Sequence, residues 1–304
     1  MQNCTYLRSM WRYYSFLGFV CLIGTANAQV QKHFKIEHNN RYQSVTLNYG
    51  SSSGICYISP GKSNEPIAVY SDRDIDEFNH SFNKSTYGSN LEINLSLEDK
   101  NKQTFSQSIS SKVFSTSSSE DNTWKVFLAE EIPYDLNLVF GVGAAFIDLS
   151  SLKVSRFNVR TGSADVNIDY LTNMPNPVVM DTFNVKVDLG NVVVRKLYMS
   201  RAKFIQAEVG FGSMQLDLTE APFVASQVRA SVGAGTLEIL IPKNNCSVII
   251  KIKDSMLCDV HLTKSFTEIS DNVYVNQEYD EDAPNQLSFD VDVSMGNIIF
   301  KEKR

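Results

Sequence analysis

One phrase recurs along this chain: an alternation of polar and apolar residues, a glycine, then a second alternation. Six copies align on that glycine. LNLVFGVGAAFIDL centres on Gly143, FNVRTGSADVNI on Gly162, FNVKVDLGNVVV on Gly190, IQAEVGFGSMQLDL on Gly212, VRASVGAGTLEILI on Gly235 and FDVDVSMGNIIF on Gly296. The first five recur every 19 to 28 residues, a period at which one supersecondary unit stacks on the next. Five and three residues before each glycine the side chains are apolar, as with Val185 and Val187 or Ala230 and Val232. Two and four residues after it they are apolar again, as with Met214 and Leu216 or Leu237 and Ile239. Period two is the signature of a strand with one buried face.

From three before the glycine to two after is an odd step, which in a straight strand turns a side chain to the opposite face. Both halves are apolar and must face one core, so the chain has to bend near the glycine, where a missing Cβ permits unusual φ/ψ and close backbone approach. The expected fold is all-β: a single-chain β-solenoid of short strands, with corners at Gly143, Gly162, Gly190, Gly212, Gly235 and Gly296 stacked into a ladder. No run of helical period competes.

Residues 1–28 read as a signal peptide. Arg8 and Arg12 precede an apolar stretch at Tyr13–Ile23, and Ala26 and Ala28 set a small-residue cleavage site after Ala28. The chain is thus expected to be exported, to the periplasm or the cell surface, with no second apolar stretch long enough to span a bilayer. Without its two arginines the charge is 26 − 34 = −8, which argues against nucleic acid and anionic lipid as partners. Residues 29–123 form an irregular N-terminal β region, a candidate cap. Within it Val45–Ser59 keeps the strand–glycine–strand rhythm as a degraded first coil, and Ser106–Asn122 reads as a loop. Residues 124–304 form the β-repeat domain, with an insertion at about 252–286 that separates the last copy from the others. The basic terminus from Lys301 to Arg304 would discourage edge pairing at the far end.

Over Trp124 to Lys253 the sequence resembles the toast-rack β-repeat family. The residues that carry the likeness are the G-x-G…IDLSSL phrase from Gly141 to Leu152, LGN at Leu189–Asn191 and VGAGTLEILIP at Val232–Pro242. The family occurs in bacterial adhesin-type proteins and at the C-terminus of LiaF-like antibiotic-response proteins. The resemblance implies a β-stack, a cell-envelope setting and no catalytic activity. The transmembrane helices of LiaF-like proteins are missing, so their membrane role does not carry over.

The residues themselves name no reaction. There is no nucleophile elbow, P-loop or zinc-protease helix motif. His33, His38, His80 and His261 lack metal-ligand spacing, and no cofactor is implied. Cys246 and Cys258 can pair across neighbouring strands as a disulfide or remain, like Cys56, buried thiols; the sequence leaves both open. Calcium binding by Asp280, Glu281 and Asp282 competes with an ordinary solvated acidic turn. A polysaccharide-acting enzyme would use outward carboxylates such as Asp148, Asp165, Asp169, Asp188 and Asp217 beside Lys153, Arg160 or Arg195; any soluble sheet displays such residues. Phe146, Val193, Leu240 and Ile299 face outward and form either a binding patch or a surface hidden under a second layer. The reading favoured by these features is a non-catalytic adhesin-like or scaffold module whose partner is an envelope protein or a glycan. A sensor-like role in an envelope stress response is the alternative.

Overall fold

The structure is a computed structural model that describes residues 31–37, 42–72, 75–99, 122–253 and 259–302. The expected signal peptide, His38 and the Ser106–Asp121 part of the loop lie outside them. Among the described residues the chain is strand throughout, with two short 3-10 turns at Ile75–Glu77 and Leu197–Ser200 and no α-helix. The N-terminal part contains β1 (Gln31–Ile36), β2 (Ser44–Gly61), β3 (Ile67–Ser71), β4 (Phe78–Tyr87), β5 (Asn90–Asp99) and β6 (Thr123–Ala129). The middle contains β7 (Pro133–Asp148), β8 (Lys153–Thr161), β9 (Asp165–Asp169), β10 (Met180–Val187), β11 (Asn191–Val194), β12 (Ala202–Val209), β13 (Ser213–Asp217), β14 (Ser226–Val232) and β15 (Thr236–Ile241). The C-terminal part contains β16 (Val248–Lys253), β17 (Asp259–His261), β18 (Thr267–Ser270), β19 (Val273–Val275), β20 (Leu287–Val293) and β21 (Asn297–Glu302).

Each coil contributes one strand to a first sheet, turns the corner, and contributes a second strand to a second sheet. In the first sheet β7, β8, β10, β12, β14 and β20 pair in parallel. In the second sheet β7, β9, β11, β13, β15 and β21 do the same. β7 and β2 are long enough to run through both. Every apolar residue of the alternation is buried, from Leu138 and Phe140 through Ile298 and Phe300. They join one continuous core that runs the length of the stack. Each fully buried Val, Leu or Ile contributes about 1.5–3 kcal/mol. In-register neighbours on adjacent coils add packing of their own: Phe157 and Phe183 stack with centroids 4.8 Å apart.

The glycines are lined up, and the structure shows what they avoid. A Cβ on Gly212 would lie 2.1 Å from the carbonyl oxygen of Gly190, one on Gly235 would lie 2.3 Å from that of Gly212, and one on Gly296 would lie 2.4 Å from that of Gly235. Each corner thus presses its carbonyl where the next corner's side chain would be. Gly143, with φ +117, and Gly54, with φ +105, also need the conformational freedom that only glycine has. Gly162 is the exception to the expected ladder. The rung beside Gly143 and Gly190 is held by Ala164, since a Cβ on Gly190 would meet the Ala164 oxygen at 2.2 Å. The sequence alignment is therefore off by two residues in that copy. A slip of two preserves the pleat face, which is why Phe157, Val159, Ala164 and Val166 are buried nonetheless. Thr161 donates its hydroxyl to the Ala164 carbonyl at 2.8 Å and closes this corner.

Both ends depart from chain order. Val45–Ser59 is a coil of the stack: β2 matches β7 from Val45↔Tyr134 to Ile58↔Ile147, with Gly54 opposite Gly143. Its other flank is covered by β5 and β6, which come later in the chain. Antiparallel β4, β3 and β1 then close that end. At the far end β20 lies between β14 and β16, and β21 between β15 and β17. β16, together with β17 of the inserted segment, thus forms the outermost coil, and the last copy fills the gap beneath it. This corrects two expectations. The insertion does not separate the last copy from the others in space, and Lys301 and Glu302 lie on an interior strand. β17, β18 and β19 form the edge instead.

The disulfide expectation is not met at its Cys246 end. Cys246 is a free, buried thiol directed at the carbonyl oxygens of Ser247 and Asn285. Cys258 lies outside the described residues.

Candidate functional site

The outer face of the second sheet is where the outward apolar residues fall. Phe146, Val193 and Ile299 share one row, but Asn167, Gln215 and Glu238 alternate with them, and Leu240 lies in the next row between Asp217 and Lys301. They do not form a contiguous patch, and the N-terminal strands extend the sheets without layering over them. The row does gain a member that the sequence reading passed over. Tyr57 of β2 lies beside Phe146, the rings stacked at 5.1 Å and 15°, and each remains about two-fifths exposed at 41% and 40%. Its signal was available, since Tyr57 stands three residues after Gly54 as Phe146 stands three after Gly143.

The outward carboxylates serve the scaffold. Asp148 accepts the Ser150 N–H at 2.9 Å, and Asp217 accepts the Thr219 N–H and hydroxyl and the Lys196 N–H. The bonds to Ser150 and Thr219 are Asx-type turn bonds, and the one to Lys196 ties neighbouring coils together. Asp165 accepts the Asn191 side-chain amide at 2.8 Å. Asp188 pairs with Arg160 and Asp169 with Arg195, while Lys153 pairs with Glu131. Glu238 is held below the ordinary carboxylate range by its hydrogen bond from Lys301, with Gln215 assisting. The acidic turn is also self-contained: Asp280 accepts the N–H of Asp282. Among the described residues no group of three or more His, Cys, Asp or Glu is placed to hold a metal ion.

The first sheet carries the more organised surface. At the position six residues before each corner stand Asn48, Asn137, Asn158 and Asn184, then Gln206, Arg229 and Asp290. β5 adds Asn94 beside Asn48. Asn158 donates to Asn137, Asn137 to Asn48, and Asn48 to Asn94, each bond 2.8 Å long. Glu92 receives the end of the chain. An amide has two donors and two acceptor lone pairs. Asn137 spends one donor and one acceptor laterally, Asn48 also donates to Glu92, and the row is half-buried, so part of its hydrogen-bonding capacity remains for a ligand.

The amide row runs into a groove of about 550 Å³ on the same face, a volume suited to a small ligand or a polymer segment. Asn184 and Gln206 open it, Ser231 forms its low centre between Glu208 and Asp292, and Arg229 and Lys251 flank Asp290. Its carboxylates are engaged: Glu208 by Lys186, Asp292 by Lys253 at 3.7 Å, and Asp290 by the Gln227 amide at 2.9 Å. The arrangement can bind through many hydrogen bonds and two cations. The row was legible in outline, since LNL, FNV and FNV recur at Leu136–Leu138, Phe157–Val159 and Phe183–Val185. The missing element was the register that brings them side by side.

No helix among the described residues is long and apolar enough to cross a membrane. No curated protein matches the chain in sequence. Among solved structures, a "putative cell adhesion protein" from Clostridium sporogenes ATCC 15579 is similar, at 15% identity and a TM-score of 0.45 over 90% of this chain and 100% of that one. Residues 25–191, more than half of the chain, match the family described as the N-terminal domain of toast_rack, DUF2154. By that match, on a stack whose β2 and β7 coils fall inside the matched segment, the chain belongs to the toast-rack family.

Proposed function

We propose that this protein is an exported, non-catalytic binding module that holds a linear envelope glycan along the outer face of its first sheet. The observation that carries the reading is the hydrogen-bonded amide row. It offers donors and acceptors once per coil, at the ~4.8 Å spacing of neighbouring strands, which is close to the advance of one sugar in an extended β-linked chain. Lateral bonds fix each carboxamide before a ligand arrives, so little side-chain entropy is lost on binding. The groove at the end of the row supplies Arg229 and Lys251 for an anionic substituent. The turn bonds and ion pairs of the outward acids support a role without catalysis, and the expected signal peptide supports export.

The test is binding of soluble cell-wall and capsular glycan fragments by titration calorimetry. Asn137→Leu combined with Asn158→Leu should reduce affinity at least tenfold while the protein stays folded by circular dichroism. Arg229→Ala should weaken acidic fragments more than neutral ones, and Phe146→Ala, on the other sheet, should change nothing. Binding that survives loss of the two asparagines, or is lost with Phe146, would place the ligand elsewhere.

A further inference from the structure

The corner edge holds the most exposed large apolar side chain among the described residues, and glycan binding on the first sheet makes no use of it. Six corners from β7 onward place one residue immediately before the ladder rung: Val142, Ser163, Leu189, Phe211, Ala234 and Met295, the last four exposed. Backbone bonds lock these tips into register. The N–H of Leu189 bonds the Gly162 oxygen, that of Phe211 the Asp188 oxygen, that of Ala234 the Gly210 oxygen, and that of Met295 the Gly233 oxygen, all at 2.7–2.8 Å. Phe211 is 73% exposed, Met295 60% and Leu189 46%, and Ala234 between them is exposed as well.

The surroundings of this ridge decide its partner. Its flanks are bare backbone, with Gly210 and Gly233 on one side and Gly212 and Gly235 on the other. Among the described residues from one flanking rung to the other the single charged side chain is Asp188, and Arg160 neutralises it. A glycan would find only two hydroxyls among the described residues, those of Ser163 and Ser294, because the corner N–H groups are spent on the ladder. Along the ridge an anionic bilayer would find Arg160 as the cation among the described residues, and Asp188 engages it, on a chain of net charge −6. Apolar residues without charges mark the centre of a protein contact. A partner that meets every tip must repeat at the same strand spacing, and another copy of this ladder does.

We propose that the corner ridge is a self-contact between two copies of this chain, related by a two-fold axis that passes between Phe211 and Ala234. Antiparallel ridges then place Phe211 against Ala234 of the partner subunit, and Leu189 against the partner subunit's Met295. Large meets small at the centre, and the glycine furrows admit the phenyl ring. Such a contact is isologous and closes as a dimer. It lies on the edge between the sheets, so it leaves both amide rows of the dimer open.

Sedimentation velocity over a dilution series tests this on the purified protein. The expected result is a monomer–dimer equilibrium. Phe211→Asp should raise its dissociation constant at least tenfold, as loss of a central anchor does, with an unchanged melting temperature. Under oxidation, Phe211→Cys together with Ala234→Cys should give a reducible covalent dimer, which neither single variant gives in the same yield. A wild-type protein that stays monomeric at its highest reachable concentration would overturn the proposal. So would a dimer that survives Phe211→Asp, or equal cross-linking in the single variants. Glycan binding is scored separately and can fail without touching this result.

Discussion

The two ends of the stack solve one problem in the same way with different materials. At each end the coil nearest the chain terminus is slotted beneath one that lies further inward in sequence: β2 under β5 and β6, β20 and β21 under β16 and β17. An open coil is a sheet edge that invites pairing, and this interleaving holds each terminal coil between two neighbours. The N-terminal end adds long antiparallel strands and aromatic packing, such as Phe78 edge-on to Trp124 at 5.0 Å and Phe34 against Phe82 at 4.9 Å. The C-terminal end adds only short strands, and every residue of β18 is exposed. The comparison teaches that the C-terminal end depends more heavily on its interleaved coil.

The largest effect should come from removing that coil. A chain ended at Gln286 leaves β14 and β15 uncovered and takes from β16 and β17 their parallel neighbours. Cooperative thermal unfolding should be lost, and limited proteolysis should begin within residues 242–286. Removing β1, an outer antiparallel strand of the other end, should leave a cooperative transition. Equal outcomes would break the comparison.

The corner glycines of the two interleaved coils sharpen it further. Gly54→Ala suffers both from φ +105 and from a Cβ 2.6 Å from the Asn122 oxygen, and should cost about 3 kcal/mol in denaturant unfolding. Gly296→Ala suffers only the overlap, 2.4 Å from the Gly235 oxygen, and should cost about 2 kcal/mol.

Buried asparagines come next. Asn276, at the C-terminal end, bonds the Val248 N–H and the Cys246 carbonyl. Asn176, in the middle, does the same for Val154 and also reaches the Ser200 carbonyl. Replacing either by Leu strands backbone groups and should cost about 2 kcal/mol in the same measurement, with Asn176 the more sensitive.

The smallest effect concerns pH. Burial pushes the Cys56 thiol from 9.0 up to about 12 and the Cys246 thiol up to about 11. Below about pH 9 both the folded and the unfolded chain keep these protons. Above it the unfolded chain releases them first, so stability falls as pH rises toward about 12. Cys56→Ala should flatten that decline more than Cys246→Ala, read from denaturant midpoints across the alkaline range.

Much of the fold was legible because burial on one face writes period two into each strand. Val166, Leu216 and Ile239 could be assigned to the core without coordinates. The Gly162 corner was misplaced because a two-residue slip leaves that pattern intact, and only the carbonyl contact of Ala164 exposes the error. The candidate surface was less legible. Asn48, Asn137 and Asn158 are as much as 110 residues apart in number (158 − 48) and become one row only through register. Phe211 was written between two glycines, yet its exposure depends on where the corner points.

The sequence by itself determined the β architecture, the inward face of every repeat and the need for a bend near each glycine. These follow from side-chain alternation and the absence of a Cβ, which act within a few residues. Only the tertiary structure decided the order of the coils at the two ends, the amide row and the largely apolar corner ridge. These depend on which strands lie side by side, and contacts between distant segments leave no period in the chain.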